Sequence, residues 1–240
     1  MKIISWNCKS GFRAKFGSLA RFAPDLLVIP ECERLSEEQL GELGIAPMQF
    51  LWTGRLEKKG LGVFAVGAGI EISRDESYTA AHEWFLPVRV CSMGETEIRL
   101  LAVWAMNHRG SKGRTEVGTA WTALTHYADF LKGGDGVVMG DFNNNVIWDN
   151  LRRKGTHSDN VALLKGLGYE SLYHERSGEE QGKESENTFF MYHKAEKGYH
   201  IDYCFASDGL RGSGKSFSIE PYEPWRELSD HVPVVVELGK

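Results

Sequence analysis

Apolar residues in this chain fall in short continuous runs more often than in long helical stripes. "DLLVI" at 25–29, "VVM" at 137–139 and "VPVVVEL" at 232–238 are unbroken, the pattern of strands covered on both faces. "KIISW" at 2–6, "GLGVFAVG" at 60–67, "LPVRVCSM" at 86–93 and "TEIRLLAVWAM" at 96–106 also read as strands, and the turn "GET" makes the last two a hairpin. "TFFMYH", "YHIDYCFA" and "SFSIE" continue the series between residues 188 and 220. Helical spacing occurs in three places. Phe16, Leu19, Ala20 and Ala23 keep it until Pro24; Val117, Trp121, Leu124, Tyr127, Ala128 and Leu131 keep it up to "GGDG"; and "SDNVALLKGLG" at 158–168 starts at a cap on Ser158 or Asp159. Many strands with helices at intervals, partly in hairpins, predict an α/β chain of mixed sheets covered by helices. No internal repeat stands out.

The 240 residues, 42% of them hydrophobic, suffice for one large core, so a single domain over 1–240 is expected. The polar stretch "HERSGEEQGKESEN", His174 to Asn187, is too short to link two domains and reads as a mobile surface loop. The opening "MKIISWNC" lacks the apolar core of a signal peptide, and no run approaches a membrane span, so a cytoplasmic protein without membrane contact is expected. Cys8, Cys32, Cys91 and Cys204 show neither Cys-x-x-Cys spacing nor the density of a disulfide scaffold, which argues for reduced thiols and against structural zinc. A net charge of −5 excludes a surface that is basic all over. The charge is unevenly spread, however. Lys9, Arg13, Lys15 and Arg21 follow the first strand and "HRGSKGR" at 108–114 follows another, so two basic loops are placed to meet at one site.

Polar groups gather at five strand ends: Asn7 after "IISW", Glu31 after "LLVIP", Asp141 and Asn143 in "VVMGDFN", Asp202 in "YHIDY", and Asp230 with His231 before "VPVVVEL". Carboxylates emerging from buried strands are costly unless a cation or hydrogen bonds compensate, so five such sets suggest a site. In order and spacing, "SWN", "PE", "GDFN", "HIDY" and "SDHVPV" resemble the endonuclease/exonuclease/phosphatase superfamily, from Asn7 to Val234. The resemblance implies a four-layer αββα sandwich, two packed mixed sheets flanked by helices with the motifs at one edge. It also implies a divalent cation, Mg²⁺ or Mn²⁺, because an anionic phosphodiester repels the attacking water. Carried over by motif, Glu31 is the principal metal ligand, with Asn7 and Asp230 completing a first or second position. Asp141 orients or deprotonates the water, Asn143 holds that water or the phosphate, and His231, oriented by Asp202, donates to a phosphoryl oxygen. In "AVWAMNHRG", either Asn107 or His108 matches the family's phosphate contact.

Two positions depart from the family pattern. Lys9 stands where nucleases often carry Asp or Asn, which suits phosphate contact better than a second metal, and Pro30 stands where Gln is common. Asn144 and Asn145 read as turn and cap residues, and Cys8, beside Asn7, as a small buried hydrophobe. The other histidines show no metal-like spacing. For Trp225 two readings stay open, core packing and stacking on a base. Lys9, Arg13, Arg109, Lys112 and Arg114 are the candidate phosphate contacts. The expected activity is a metal-dependent nuclease without an obligate protein partner, a monomer acting on DNA or RNA. The alternative is a hydrolase of a small or lipid-headgroup phosphoester, and a catalytically dead binding module fits least.

Overall fold

A computed structural model gives the fold and describes residues 1–92, 97–105, 116–150, 152–212 and 216–239. The first sheet contains β1 (Lys2–Ser5), β2 (Leu26–Cys32), β3 (Phe50–Leu56), β4 (Lys59–Ala65), β13 (Ser216–Ile219) and β14 (Val234–Glu237), in the order β13-β14-β1-β2-β4-β3. The second contains β5 (Ile70–Arg74), β6 (Phe85–Ser92), β7 (Ile98–Trp104), β8 (Gly136–Asp141), β9 (Tyr169–Ser171) and β12 (Asp202–Ser207), in the order β5-β6-β7-β8-β12-β9. A small ribbon, β10 (Phe189–Phe190) with β11 (Gly198–Tyr199), stands at the edge. Both large sheets are mixed: β1 with β2 and β7 with β8 are parallel, and the other pairs are antiparallel.

The unbroken apolar runs now have a cause. Along β2, Leu26 and Val28 belong to the cluster between the sheets, with Val63, Leu101 and Val138, while Leu27 and Ile29 belong to a second cluster on the outer face with Ile4, Trp6, Phe12 and Leu40. Successive side chains point to opposite faces, so a strand buried on both must be apolar at every position. The helices are α1 (Phe12–Lys15), α2 (Glu37–Glu42), α3 (Glu116–His126), α4 (Ala128–Lys132), α5 (His157–Gly166) and α6 (Leu172–Ser177). The two-sheet sandwich with flanking helices is the expected architecture.

Several details differ from the sequence reading. The segment after β1 holds a single α-turn and then a 3-10 run, Phe16–Phe22, which ends at Ala23 in the left-handed region. The helix expected up to Leu131 breaks at Tyr127 into α3 and α4. Thr156, not Ser158 or Asp159, caps α5, and Asp159 closes the capping box from its third position. The strand expected at 188–193 is only two residues long, because Tyr192 and His193 take positive φ. The polar stretch 174–187 is not a loose loop: the Glu184 side chain, only 4% exposed, accepts from Asn145, His174 and the Gly182 N–H. The "GET" turn lies outside the described residues, although β6 and β7 pair antiparallel as a hairpin requires. No helix among the described residues is long and apolar enough to cross a membrane.

Candidate active site

Strand geometry brings Asp141 and Asp202 face to face. Asp141 is the last residue of β8, Asp202 the first of β12, and the two are register partners. Gly140 makes the approach of β8 possible: its φ is +147, and a Cβ there would run into the carbonyl oxygen of Val103 on β7. Only glycine tolerates that conformation and that contact, which explains the "MGD" spelling.

Asp141 is fully buried and is held from three directions. Asn7 Nδ2 donates to its Oδ2 at 2.9 Å, the Asn143 N–H donates to Oδ1 at 2.8 Å, and Asn143 Nδ2 donates to Oδ2 at 3.1 Å. Asn143 reaches back because its φ is +48, a left-handed turn that Asn adopts more readily than most residues. His231 stands on the other side. Its Nδ1 lies 2.9 Å from Asp202 Oδ2, and since a carboxylate only accepts, Nδ1 carries the proton. That leaves Nε2 facing Asp141 Oδ2 at 4.0 Å. Four ångströms is too long for a hydrogen bond but leaves room for one oxygen atom to touch both groups. Thr188 Oγ1 accepts the backbone N–H of Ile201 and of Asp202, and Trp6 Nε1 donates to the His231 carbonyl, so the dyad rests on a fixed frame.

The electrostatics follow from burial and from two acids sharing one imidazole. Burial, then the neighbouring charge of Asp202, pushes the Asp141 carboxyl up to about 7, against the pull of His231 and the bonds from Asn7 and Asn143. For His231 burial favours the neutral ring, yet the charge and hydrogen bond of Asp202, with help from Asp141 and Asp230, carry it up to about 9. Asp141, Asp202 and His231 present ligand atoms within 4.8 Å of one another, close enough to hold an ion. The Nδ1 proton and the commitment of Asp202 to it equip the trio for acid–base chemistry as well.

Glu31 and Asp230 carry the other carboxylates. Glu31 falls where the β2–β4 register shifts between Pro30 and Cys32, and its φ is +61. A bulged residue in that conformation has its side chain turned out of the sheet, here toward Lys59, whose Nζ lies 2.8 Å from Oε2. Asp230 pairs with Lys9 Nζ at 3.1 Å. Lys9 and Ser10 also have positive φ, a conformation that costs each roughly 1–3 kcal/mol. Lys9 N–H donates to Asn7 Oδ1, and Lys15 Nζ donates to the carbonyls of Cys8, Ser10 and Leu228, which pins the turn. These donors suit a hard cation: carboxylates and an amide oxygen are the ligands Mg²⁺ and Mn²⁺ prefer. Asp202 Oδ1, buried and without a partner among the described residues, is a further acceptor in the same place.

The structure thus brings Asn7, Asp141, Asn143, Asp202 and His231 into direct contact, with Lys9 and Asp230 beside them. Arg13 pairs with Glu42 at 3.1 Å and lies toward α2. Asn107, His108, Arg109, Lys112 and Arg114 lie outside the described residues. Trp225 is corrected: 2% exposed, it meets Trp6 edge-on and stacks on Phe22, so it has no free face for a base. Lys59, His193 and Ser229 were missed. His193 contacts Lys9 Nζ, and Ser229 Oγ donates to the Asn7 carbonyl and accepts the His231 N–H. Ser229 adjoins "DH" and was open to discovery as a turn residue. Lys59 has no local signal, since only the pairing of β4 with β2 puts it opposite Glu31.

The same architecture occurs in solved structures. A 3′ phosphatase, NExo, from Neisseria, bound to a product DNA hairpin, superposes with a TM-score of 0.73 at 19% identity, over 100% of both chains. The fold is that of the endonuclease/exonuclease/phosphatase proteins. A 3′-5′ exonuclease from Neisseria meningitidis (TM-score 0.71, 18% identity, 100% of both chains) and an AP endonuclease from Archaeoglobus fulgidus (0.68, 16%, 100% of both chains) share it. No family model and no curated protein sequence matches the chain. Asn7 just past β1, Asp141 at the end of β8 and Asp202 at the start of β12 meet, and Lys59, the partner of Glu31, stands 5.6 Å from the Trp104 ring at the end of β7.

Proposed function

We propose that this chain is a divalent-metal-dependent phosphodiester hydrolase acting on nucleic acid, a single catalytic domain that works as a monomer. The observation that carries the reading is the Asp141–His231 gap: a buried carboxylate raised toward neutrality faces a protonated imidazole 4.0 Å away, with Asp202 fixing the ring. A base works best with a pKa near the working pH, and Asp141 meets that condition. It takes a proton from the attacking water while Asn143 and Asn7 keep its oxygens in line. His231 Nε2 donates to a phosphoryl oxygen, matching the negative charge that builds there. Glu31, with Asn7 and Asp230, would hold Mg²⁺ or Mn²⁺, which when bound neutralises phosphate charge and polarises the phosphorus.

Lys9, and by sequence Arg13, Asn107, His108, Arg109, Lys112 and Arg114, supply phosphate contacts in this reading. The solved structures of this fold include a protein bound to a DNA hairpin, which supports nucleic acid as substrate. The net charge of −5 favours a second reading, a small phosphoester, because a long polyanion is repelled by an acidic surface. A cytoplasmic location suits four free cysteines, three of them buried.

The deciding experiment is a turnover panel of single-stranded, duplex and abasic DNA, RNA and a nitrophenyl phosphodiester, with Mg²⁺, with Mn²⁺ and with excess chelator. Oligonucleotide hydrolysis that needs the cation and falls by at least ~10²-fold in Asp141→Asn is expected. Full activity in chelator, or a parent-like Asp141→Asn, would overturn the reading. Hydrolysis confined to the small diester would favour the alternative.

A further inference from the structure

A cleft of about 450 Å³ opens where both sheets run out, between β3, the outer strand of the first, and β5, the outer strand of the second. Arg34, Trp52, Arg74 and Tyr78 line it, along with Glu37 and Leu40 of α2. It lies beside the candidate site. Thr53 pairs with Leu61 on β4, and Leu61 pairs with Pro30, the neighbour of Glu31, on β2. Two strand spacings put the cleft on the order of 10 Å from the Glu31 position.

Trp52 is seated with care. Its Nε1 donates to the Cys32 carbonyl at 3.0 Å, and its ring lies on the backbone of Gly54 and Gly60, where a Cβ at either position would strike the indole. The Arg34 guanidinium stands 5.9 Å from the ring centroid, and its one carboxylate partner among the described residues, Glu57, is 3.9 Å away with both side chains mostly exposed, a weak and screened pair. Arg74 lies 4.4 Å over the Tyr78 ring and donates to the Trp52 carbonyl at 2.8 Å, with no carboxylate partner among the described residues. Two guanidiniums and two aromatic rings therefore converge on one cleft, and Glu37 is the acid that lines it.

We propose that this cleft is a subsite for a nucleotide flanking the scissile phosphate, its base on Trp52 and its phosphate between Arg34 and Arg74. The inference rests on the nucleic-acid reading. A nucleotide supplies the two features the cleft is built for, a planar ring and an anion. Arg binds phosphate through a planar fork and stacks on rings, and any base presents a flat face that an aromatic side chain can stack on.

The test compares kcat/KM for a single-stranded oligonucleotide and for bis(4-nitrophenyl) phosphate in the parent, in Arg34→Ser/Arg74→Ser and in Trp52→Leu, with melting curves as the control for folding. The double variant changes only exposed side chains, so it stays folded even where Trp52→Leu does not. Oligonucleotide turnover should fall at least about tenfold in the double variant, while the small diester changes less than about twofold. Trp52→Phe should retain most oligonucleotide turnover. If the parent cuts the oligonucleotide and the double variant cuts it equally well, the subsite is wrong and the nucleic-acid reading survives. An equal loss on both substrates also overturns the subsite. If the parent cuts only the small diester, the nucleic-acid reading fails and takes the subsite with it.

Discussion

The two sheets are built to one plan and differ in the charges at matching strand ends. From edge to edge, each reads antiparallel, antiparallel, parallel, antiparallel, antiparallel, so β1 corresponds to β7, β2 to β8 and β4 to β12. In the first sheet the acid near the end of β2, Glu31, meets a base at the start of β4, Lys59. In the second, the acid at the end of β8, Asp141, meets another acid at the start of β12, Asp202. One half is a partly exposed pair, neutral by itself. The other is a buried like-charge pair that needs outside compensation, and His231, from the segment that enters β14 in the first sheet, provides it. Shared topology supplies two acids at matching places; the residue across the strand decides which is neutralised by a cation and which has its carboxyl pushed up toward neutral pH.

The largest expected break of this contrast is His231→Ala. It removes the proposed donor to the phosphoryl oxygen and takes the imidazole away from two buried carboxylates. Turnover should fall by at least ~10²-fold, and because a buried charge loses its partner, folding should lose about 3–5 kcal/mol in urea titrations. A variant as stable as the parent would show that the pair is compensated by something else.

A pH titration of the metal-free protein sharpens the contrast next. His231 is raised from 6.5 to about 9, so the stability it contributes is complete below about 6.5 and is lost as pH rises through 9. Asp141, raised from 3.8 to about 7, acts in the same sense at lower pH, since its ionisation is harder in the folded chain. Together they predict falling stability toward alkaline pH, with the His231 share on the order of 3 kcal/mol between pH 6.5 and 9. Asp202→Asn should flatten that slope, and Lys59→Met should leave it unchanged. Equal slopes in parent and Asp202→Asn would mean that the dyad does not hold the proton.

How much of this was open to reading along the chain depends on whether a feature is local. The buried strands β1, β2, β8 and β14 declare themselves because both faces demand apolar residues, and the acids at their ends stand out against that background. Two edge strands are harder to see: "FLWTGRL" of β3 carries no clean pattern, and "IEISR" of β5 alternates apolar and polar residues but over only five positions. The shared plan of the sheets leaves no repeat in the sequence, since hydrogen-bond pairing belongs to the backbone. Glu184 looked like loop charge. Burial alone would raise its carboxyl, yet bonds from His174, the Gly182 N–H and Asn145 bring it down to about 2, a network that no spacing in "HERSGEEQGKESEN" announces. Trp225 was undecided because burial depends on Trp6 and Phe22, far away in sequence.

The smallest effects belong to the first sheet. Glu31 and Lys59 keep 19% and 40% of their side chains exposed, so the ion pair is screened and should contribute under about 1 kcal/mol to folding. Glu31→Gln and Lys59→Met should therefore each leave the urea midpoint close to that of the parent, in contrast to His231→Ala. Their effect should appear in calorimetric titration with Mg²⁺ or Mn²⁺, and with opposite signs. Glu31→Gln removes the proposed anionic ligand while keeping its shape, which should weaken binding; Lys59→Met removes the cation that pairs with Glu31 Oε2, which should tighten it. Competition at one oxygen also requires that the gain from Lys59→Met vanish once Glu31 is Gln, because nothing is then left to compete for. A Lys59→Met gain that persists beside Gln at position 31 would mean that Lys59 acts on the cation through long-range repulsion and that the two halves of the site are electrostatically one.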